Sequence, residues 1–150
     1  MKFPDPHPGL VISYAYLWSD ERDRGREEGA KNRPCAIVIA RRMAQEGGSK
    51  GKTIVTVVPI THTSPLDPKA AMEIPPALKD HLGLDAKRSW IVLGETNEFL
   101  WPGPDLRPIA RSRSDECVYG SLPPKFFLRM RARLLELAHE RRLRRIVRTD

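Results

Sequence analysis

The sequence predicts a mainly β protein with a C-terminal helix, and three observations carry that prediction. Short segments rich in β-branched and aromatic residues follow one another through the first three quarters of the chain. Most of the connections between them are not long amphipathic helices, which disfavours a parallel βαβ sheet and favours a small, strongly bent antiparallel sheet or barrel. Helical periodicity of any length takes over only near the end. At 150 residues with 40% hydrophobic content, the chain fits one compact domain, residues 1–150, with a real core and no room for a second.

Taken in order, LVISYAYLW (10–18), CAIVIA (35–40), TIVTVVPI (53–60), AMEI (71–74), SWIVL (89–93) and CVYGSL (117–122) read as strands. Between the fourth and fifth, PPALKDHLGL (75–84) has prolines where a first helical turn tolerates them and a glycine after a short apolar period, so it reads as one or two helical turns. From Ser121, taken as the N-cap, a helix runs with Phe127, Met130, Leu134 and Leu137 on one stripe. Past Ala138 the stripe gives way to HERRLRRIVR, and the arginine-rich tail 139–150 has two readings: a solvated or frayed helix end, or a phosphate-contacting tail. The longest loops fall at 19–32, 42–52 and 101–108. The first two flank a strand that opens on Arg33-Pro34, where proline fixes an extended entry and biases Arg33 away from helical geometry.

The formal net charge of +7 favours polyanionic partners such as nucleic acid or an acidic protein segment. No run approaches the roughly 18 to 20 apolar residues that span a bilayer, so a soluble protein is expected. Cys35 and Cys117 are far apart and lie in or beside apolar runs, which reads as two buried reduced thiols and a cytoplasmic address.

Motifs with strict spacing are missing. His7, His62, His81 and His139 form no H-x-H or H-E-x-x-H pair and the cysteines no C-x-x-C, so neither a metal nor another cofactor is expected. GGSKGK in the second loop has the composition of a phosphate loop without its spacing. What remains is a set of polar residues at strand ends: Glu28, five residues before Arg33; Thr61 and His62, where TIVTVVPI stops; and Glu95 and Asn97 in GETNEF, after SWIVL. Each alone has an ordinary structural role open to it, as a sheet-edge cover, a turn cap, a loop histidine or a surface ion pair.

In order, the set resembles the MazF/PemK/Kid group of toxins from bacterial toxin-antitoxin systems. The resemblance sits in three blocks: Pro8-Gly9 and the first strand followed by EGAKNRPCAIVIA, with an acid five positions before an R-P-x-hydrophobic strand; VTVVPITHT, a strand ending in a small hydroxyl residue; and WIVLGETNEF, leading towards Leu106-Arg107-Pro108-Ile109. It covers roughly residues 8–138. Where the family usually has a glycine shortly before the arginine, this chain reads Ala30-Lys31-Asn32; Leu93 stands where one branch has an arginine; and PPALKDHLGL is an insertion.

The resemblance implies an SH3-like barrel (MazF/CcdB/Kid-like) that dimerises, an RNA-binding groove across the homodimer, metal-independent cleavage of single-stranded RNA (mRNA), and neutralisation by an antitoxin protein. It places the main catalytic residues at Arg33 and Thr61, the upstream acid at Glu28 and the acidic position of the third block at Glu95. The chemistry of the residues agrees. Cleavage without a metal uses the neighbouring 2′-hydroxyl as nucleophile, so a site needs a proton acceptor, a proton donor and a cation for the phosphate. A guanidinium such as that of Arg33 suits the cation, Thr61 would position a phosphate oxygen, a carboxylate such as Glu28 or Glu95 could be the base, and His62 is the histidine nearest the set. A second reading of the same residues is a non-catalytic SH3-like module that binds RNA or an acidic protein segment.

Overall fold

A computed structural model describes residues 3–25, 29, 31–43, 51–109 and 116–148. Its strands are β1 (Leu10–Tyr14), β2 (Arg33–Met43), β3 (Lys52–Thr61), β4 (Ala71–Glu73), β5 (Trp90–Val92), β6 (Glu95–Trp101), β7 (Val118–Ser121) and β8 (Arg144–Val147); its α-helices are α1 (Ser19–Asp23), α2 (Pro76–Leu82) and α3 (Pro124–His139). The strands form one eight-stranded sheet with a main path β4-β5-β3-β2-β1-β7. Its pairs are antiparallel except β6 with β8, which is parallel. The chain is therefore mainly β with a C-terminal helix, as its sequence predicts. Among the described residues no ladder joins the ends of this path, so the sheet they form is not closed into a barrel.

The bend is carried by β3. One edge pairs with β2 along its length, while the other pairs first with β6, from Thr53 to Val57, and then with β5, at Ile60 and Thr61. Over residues 35–38 of β2 and 55–60 of β3 the strands are consequently buried on both faces, which is why the run CAIV is unbroken rather than alternating, whereas Ile39 beyond it is exposed. Alternate side chains enter two separate cores. Ala36, Val38, Val58 and Ile60 pack with Leu78 and Leu82 of α2 and with Phe126, Met130, Leu134 and Leu137 of α3. Cys35, Ile37, Val55 and Val57 pack on the opposite face with Ile12, Tyr14, Tyr16 and Phe99. Each fully buried apolar side chain of this kind contributes about 1.5–3 kcal/mol.

Four expectations about the elements are corrected. Ser121 does not cap the long helix; it ends β7, and the Leu122 N–H donates to the Gly9 carbonyl, so the chain stays extended until Pro124 opens α3 at a position where a missing donor costs nothing. The inward stripe of α3 begins at Phe126 rather than Phe127. The arginine-rich tail is neither a frayed helix end nor, over 144–147, a free tail: Arg141 adopts a left-handed turn (φ 58°) and the chain returns as β8 beside β6. Ile146 is buried there. GETNEF was expected as a polar strand end and is instead the start of β6, because its polar side chains face acceptors and donors inside the protein.

Both cysteines are free and buried, and burial raises the Cys35 thiol pKa far above its usual value. No helix among the described residues is long and apolar enough to cross a membrane.

Candidate functional site

The pleat and the register together decide where Arg33 and Thr61 meet. The β2–β3 ladder pairs Cys35 with Pro59 and Ala36 with Val58, and continuing that register by two residues sets Arg33 beside Thr61. Arg33 also pairs with Tyr14 on β1, and Thr61 with Trp90 on β5. Both therefore sit at one end of the sheet. With His62 they line a single cleft of about 730 Å³, within the range of roughly 300–1,000 Å³ typical of ligand sites. Its remaining walls come from Lys31 and Asn32, from Leu82 to Asp85 at the end of α2, and from Ile109 and Tyr119. Its lining combines polar and cationic residues, among them Lys31, Arg33 and His62, with apolar ones, among them Leu82, Leu84, Ile109 and Tyr119.

Arg33 is half-buried, with its guanidinium carbon 5.0 Å from the centroid of the Trp18 ring. Its Nε–H is buried and has no hydrogen-bond partner among the described residues. An unsatisfied buried donor costs about 1–3 kcal/mol, and more when the group is charged, so the fold holds this guanidinium at a cost that an anionic ligand could offset.

Thr61 Oγ1 accepts a hydrogen bond from the backbone N–H of Thr63 (3.2 Å), a local turn cap that leaves its own hydroxyl proton to be directed elsewhere. His62 Nε2 lies 2.8 Å from Asp85 Oδ2 and 3.1 Å from Oδ1, and just over half of its side chain is exposed (52%). Asp85 also accepts from Lys79 Nζ (2.9 Å) and from the Lys87 backbone N–H (3.1 Å). The Lys79 hydrogen bond, with the charges of His62 and Lys79 behind it, holds the Asp85 carboxyl below its usual pKa of 3.8 against the opposing effect of desolvation.

Glu95 and Asn97 do not line this cleft. Glu95 accepts from the Tyr16 hydroxyl (3.1 Å), the Ser19 backbone N–H (2.9 Å) and the Ser19 hydroxyl (3.0 Å). Burial, and then the Glu95 charge, push the Tyr16 phenol well above its ordinary pKa. Asn97 is fully buried; its amide accepts from Leu17 N–H and donates to Leu17 C=O, both at 2.9 Å, so it substitutes for a strand partner along an irregular segment. Glu28 lies outside the described residues.

Gly29 is placed, and its position is specific: a Cβ there would stand 2.1 Å from the Tyr16 carbonyl oxygen, so only glycine fits against that backbone. A glycine does precede Arg33, then, four residues before it. Among the described residues no group of three or more His, Cys, Asp or Glu is arranged to hold a metal ion.

Sequence reasoning missed Asp85 and Lys79. Lys79 belongs to the inserted segment and Asp85 follows directly on it, and no spacing rule links residue 85 to residue 62; only the return of α2 to the end of β3 brings them together. Trp18 and Tyr119 were likewise visible only as strand residues. Comparisons with family models, curated proteins and solved structures return no match for this chain.

Proposed function

We propose that the protein is a toxin-type endoribonuclease that cleaves single-stranded RNA through attack of the neighbouring 2′-hydroxyl, without a metal, and is neutralised by an antitoxin. The observation that carries this reading is the convergence of Arg33, Thr61 and His62, drawn from two strands and a strand end, on one cleft. A planar guanidinium matches two phosphate oxygens at once. Thr61 adds a hydroxyl for a third oxygen, and His62 supplies a group able to move a proton near neutral pH. Tyr119 in the lining offers a face on which an unpaired base can stack, a contact worth about 1–3 kcal/mol per base.

The same reading takes the bent sheet as a variant of the SH3-like barrel. In place of a ladder between β1 and β8, the Arg148 side chain reaches the Tyr14 hydroxyl and the Ala15 carbonyl, and a bridge joins Tyr14 to Leu106. A homodimer with its RNA groove running across both subunits, and an acidic antitoxin segment seated on a chain of net charge +7, complete the proposal.

Incubation of the purified chain with single-stranded RNA, followed by analysis of fragment ends, tests it. Fragments ending in a 2′,3′-cyclic phosphate are the expected result. Intact RNA held in a tight, salt-sensitive complex would favour the non-catalytic module, a reading to which the structural employment of Glu95 lends some weight.

A further inference from the structure

The cluster formed by His62, Asp85 and Lys79 has an internal logic that an ordinary surface ion pair lacks. An ionised carboxylate can only accept hydrogen bonds, so the ring nitrogen that faces Asp85, Nε2, must carry a proton. In the neutral ring this leaves the lone pair on Nδ1. The carboxylate is itself anchored. Lys79, only 4% exposed, donates both to Asp85 Oδ1 and to the Lys87 carbonyl, and its helix is fixed by Leu78 and Leu82 in the core and closed by Gly83 in the left-handed conformation (φ 68°). Asp85 is therefore presented to the cleft from a rigid support, three residues beyond the helix end.

We propose that Asp85 is a positioning residue that orients the His62 ring, making Nδ1 the general base of the cleavage reaction; this rests on the endoribonuclease reading above. Nδ1 takes the proton of the 2′-hydroxyl as that oxygen bonds to phosphorus and the phosphorus–O5′ bond breaks. The departing 5′-oxygen takes a proton from water, and His62 returns its proton to the hydroxide so formed. The products are a 2′,3′-cyclic phosphate and a 5′-hydroxyl. On this account the inserted segment 75–84 and the Asp85 that follows it are part of the active site, and Glu95 is not needed as a base.

The test uses the full chain, a single-stranded RNA oligonucleotide and four proteins: wild type, His62→Ala, Asp85→Asn and the double variant. His62→Ala is expected to slow cleavage by about 10²–10⁴-fold, with partial recovery on addition of imidazole. Asp85→Asn is expected to lower kcat by about 10²-fold, the effect of a misplaced group, while KM holds. Because Asp85 acts through the ring, its substitution costs nothing further once His62 is gone. Nitrogen-15 NMR of wild-type histidines provides an independent reading, with the Nε2–H tautomer expected for neutral His62. Wild-type cutting with an undiminished Asp85→Asn rate, an equal loss from Asp85→Asn with and without His62, or an Nδ1–H tautomer would each overturn the assignment and leave the endoribonuclease reading standing. RNA left intact by folded wild-type protein would overturn both.

Discussion

Two arginines, both beside the end of β1 at Tyr14, are built from the same parts and put to opposite uses. Arg148 has its guanidinium carbon 5.6 Å from the Tyr14 ring centroid, and Arg33 has its own 5.0 Å from that of Trp18. Around Arg148 the fold then supplies every kind of acceptor: the Ala15 carbonyl at 3.0 Å, the Asn97 amide oxygen and Tyr14 hydroxyl at 3.2 Å, and Asp105 at 3.0 Å. Only 2% of its side chain is exposed. Around Arg33 the fold supplies an aromatic face, an open cleft and a buried Nε–H with no partner among the described residues. A satisfied buried cation is a structural device. A cation that is positioned but under-satisfied at a cleft is preorganised for a ligand, since the cost of holding it is met by folding and not at the moment of binding.

The contrast makes Arg148→Met the most damaging single change. It would take from the Asp105 carboxylate, 7% exposed, its closer cation, leaving Arg107 at 3.9 Å, and breaking a buried pair by removing one partner costs about 3–5 kcal/mol. Chemical denaturation should show that loss in the midpoint. An unaltered midpoint would mean that β1 and β8 are held together by something other than this residue.

Arg33→Ala should do the reverse. Loss of the aromatic contact, about 0.5–1 kcal/mol, is offset by removal of an unsatisfied donor, so the unfolding midpoint should hardly move. Cleavage, by contrast, should fall about 10²–10³-fold, the usual effect of deleting one preorganised contact to transition-state charge. Arg33→Lys should recover little, because a point charge cannot replace a planar fork. A variant that unfolds without losing specific activity would place Arg33 with Arg148 among the structural residues.

How much of this contrast could be read in advance follows from what each arginine depends on. Arg33 was legible because its context is local: a proline fixes its backbone, an apolar run follows, and the end of the next strand supplies Thr61. Arg148 was not, because its side-chain partners include residues 14, 15, 97 and 105, and the strand before it, RRIV, has no alternation and sits in a run of arginines. β8 exists through tertiary pairing with β6, which overrides a sequence that reads as a charged tail. β6 was missed for the complementary reason: Glu95 and Asn97 look like surface residues until Tyr16, Ser19 and Leu17 are brought against them. The inserted helix was legible from its prolines and glycine, but not the partnership of Asp85 with His62, which depends on where that helix returns.

Asn97 offers an intermediate test of the structural arginine. Asn97→Ala would leave the Leu17 N–H and C=O buried without partners and remove an acceptor from Arg148, at about 1–3 kcal/mol for each stranded group. Because Asn97 and Arg148 share a hydrogen bond, the two substitutions should be non-additive, the double variant losing less than the sum. Strict additivity in denaturation midpoints would separate the amide from the guanidinium.

The smallest effect lies at the cleft and concerns pH. Asp85 is bound mainly by Lys79, and its folded-state pKa lies below the ordinary 3.8. A carboxylate depressed by folding contributes stability that is fully present above its unfolded pKa and is lost as pH falls through the folded value. Wild type should therefore exceed Asp85→Asn by a constant margin at neutral pH, a margin that shrinks only below about pH 3.8. With 40% of the side chain exposed, solvent screening keeps that margin at about 1 kcal/mol or less. Denaturation midpoints measured across the acid range would show it. A gap that closed already near pH 6 would mean that a histidine, and not the carboxylate, controls the link, and that His62 contributes to stability at the very site where Arg33 does not.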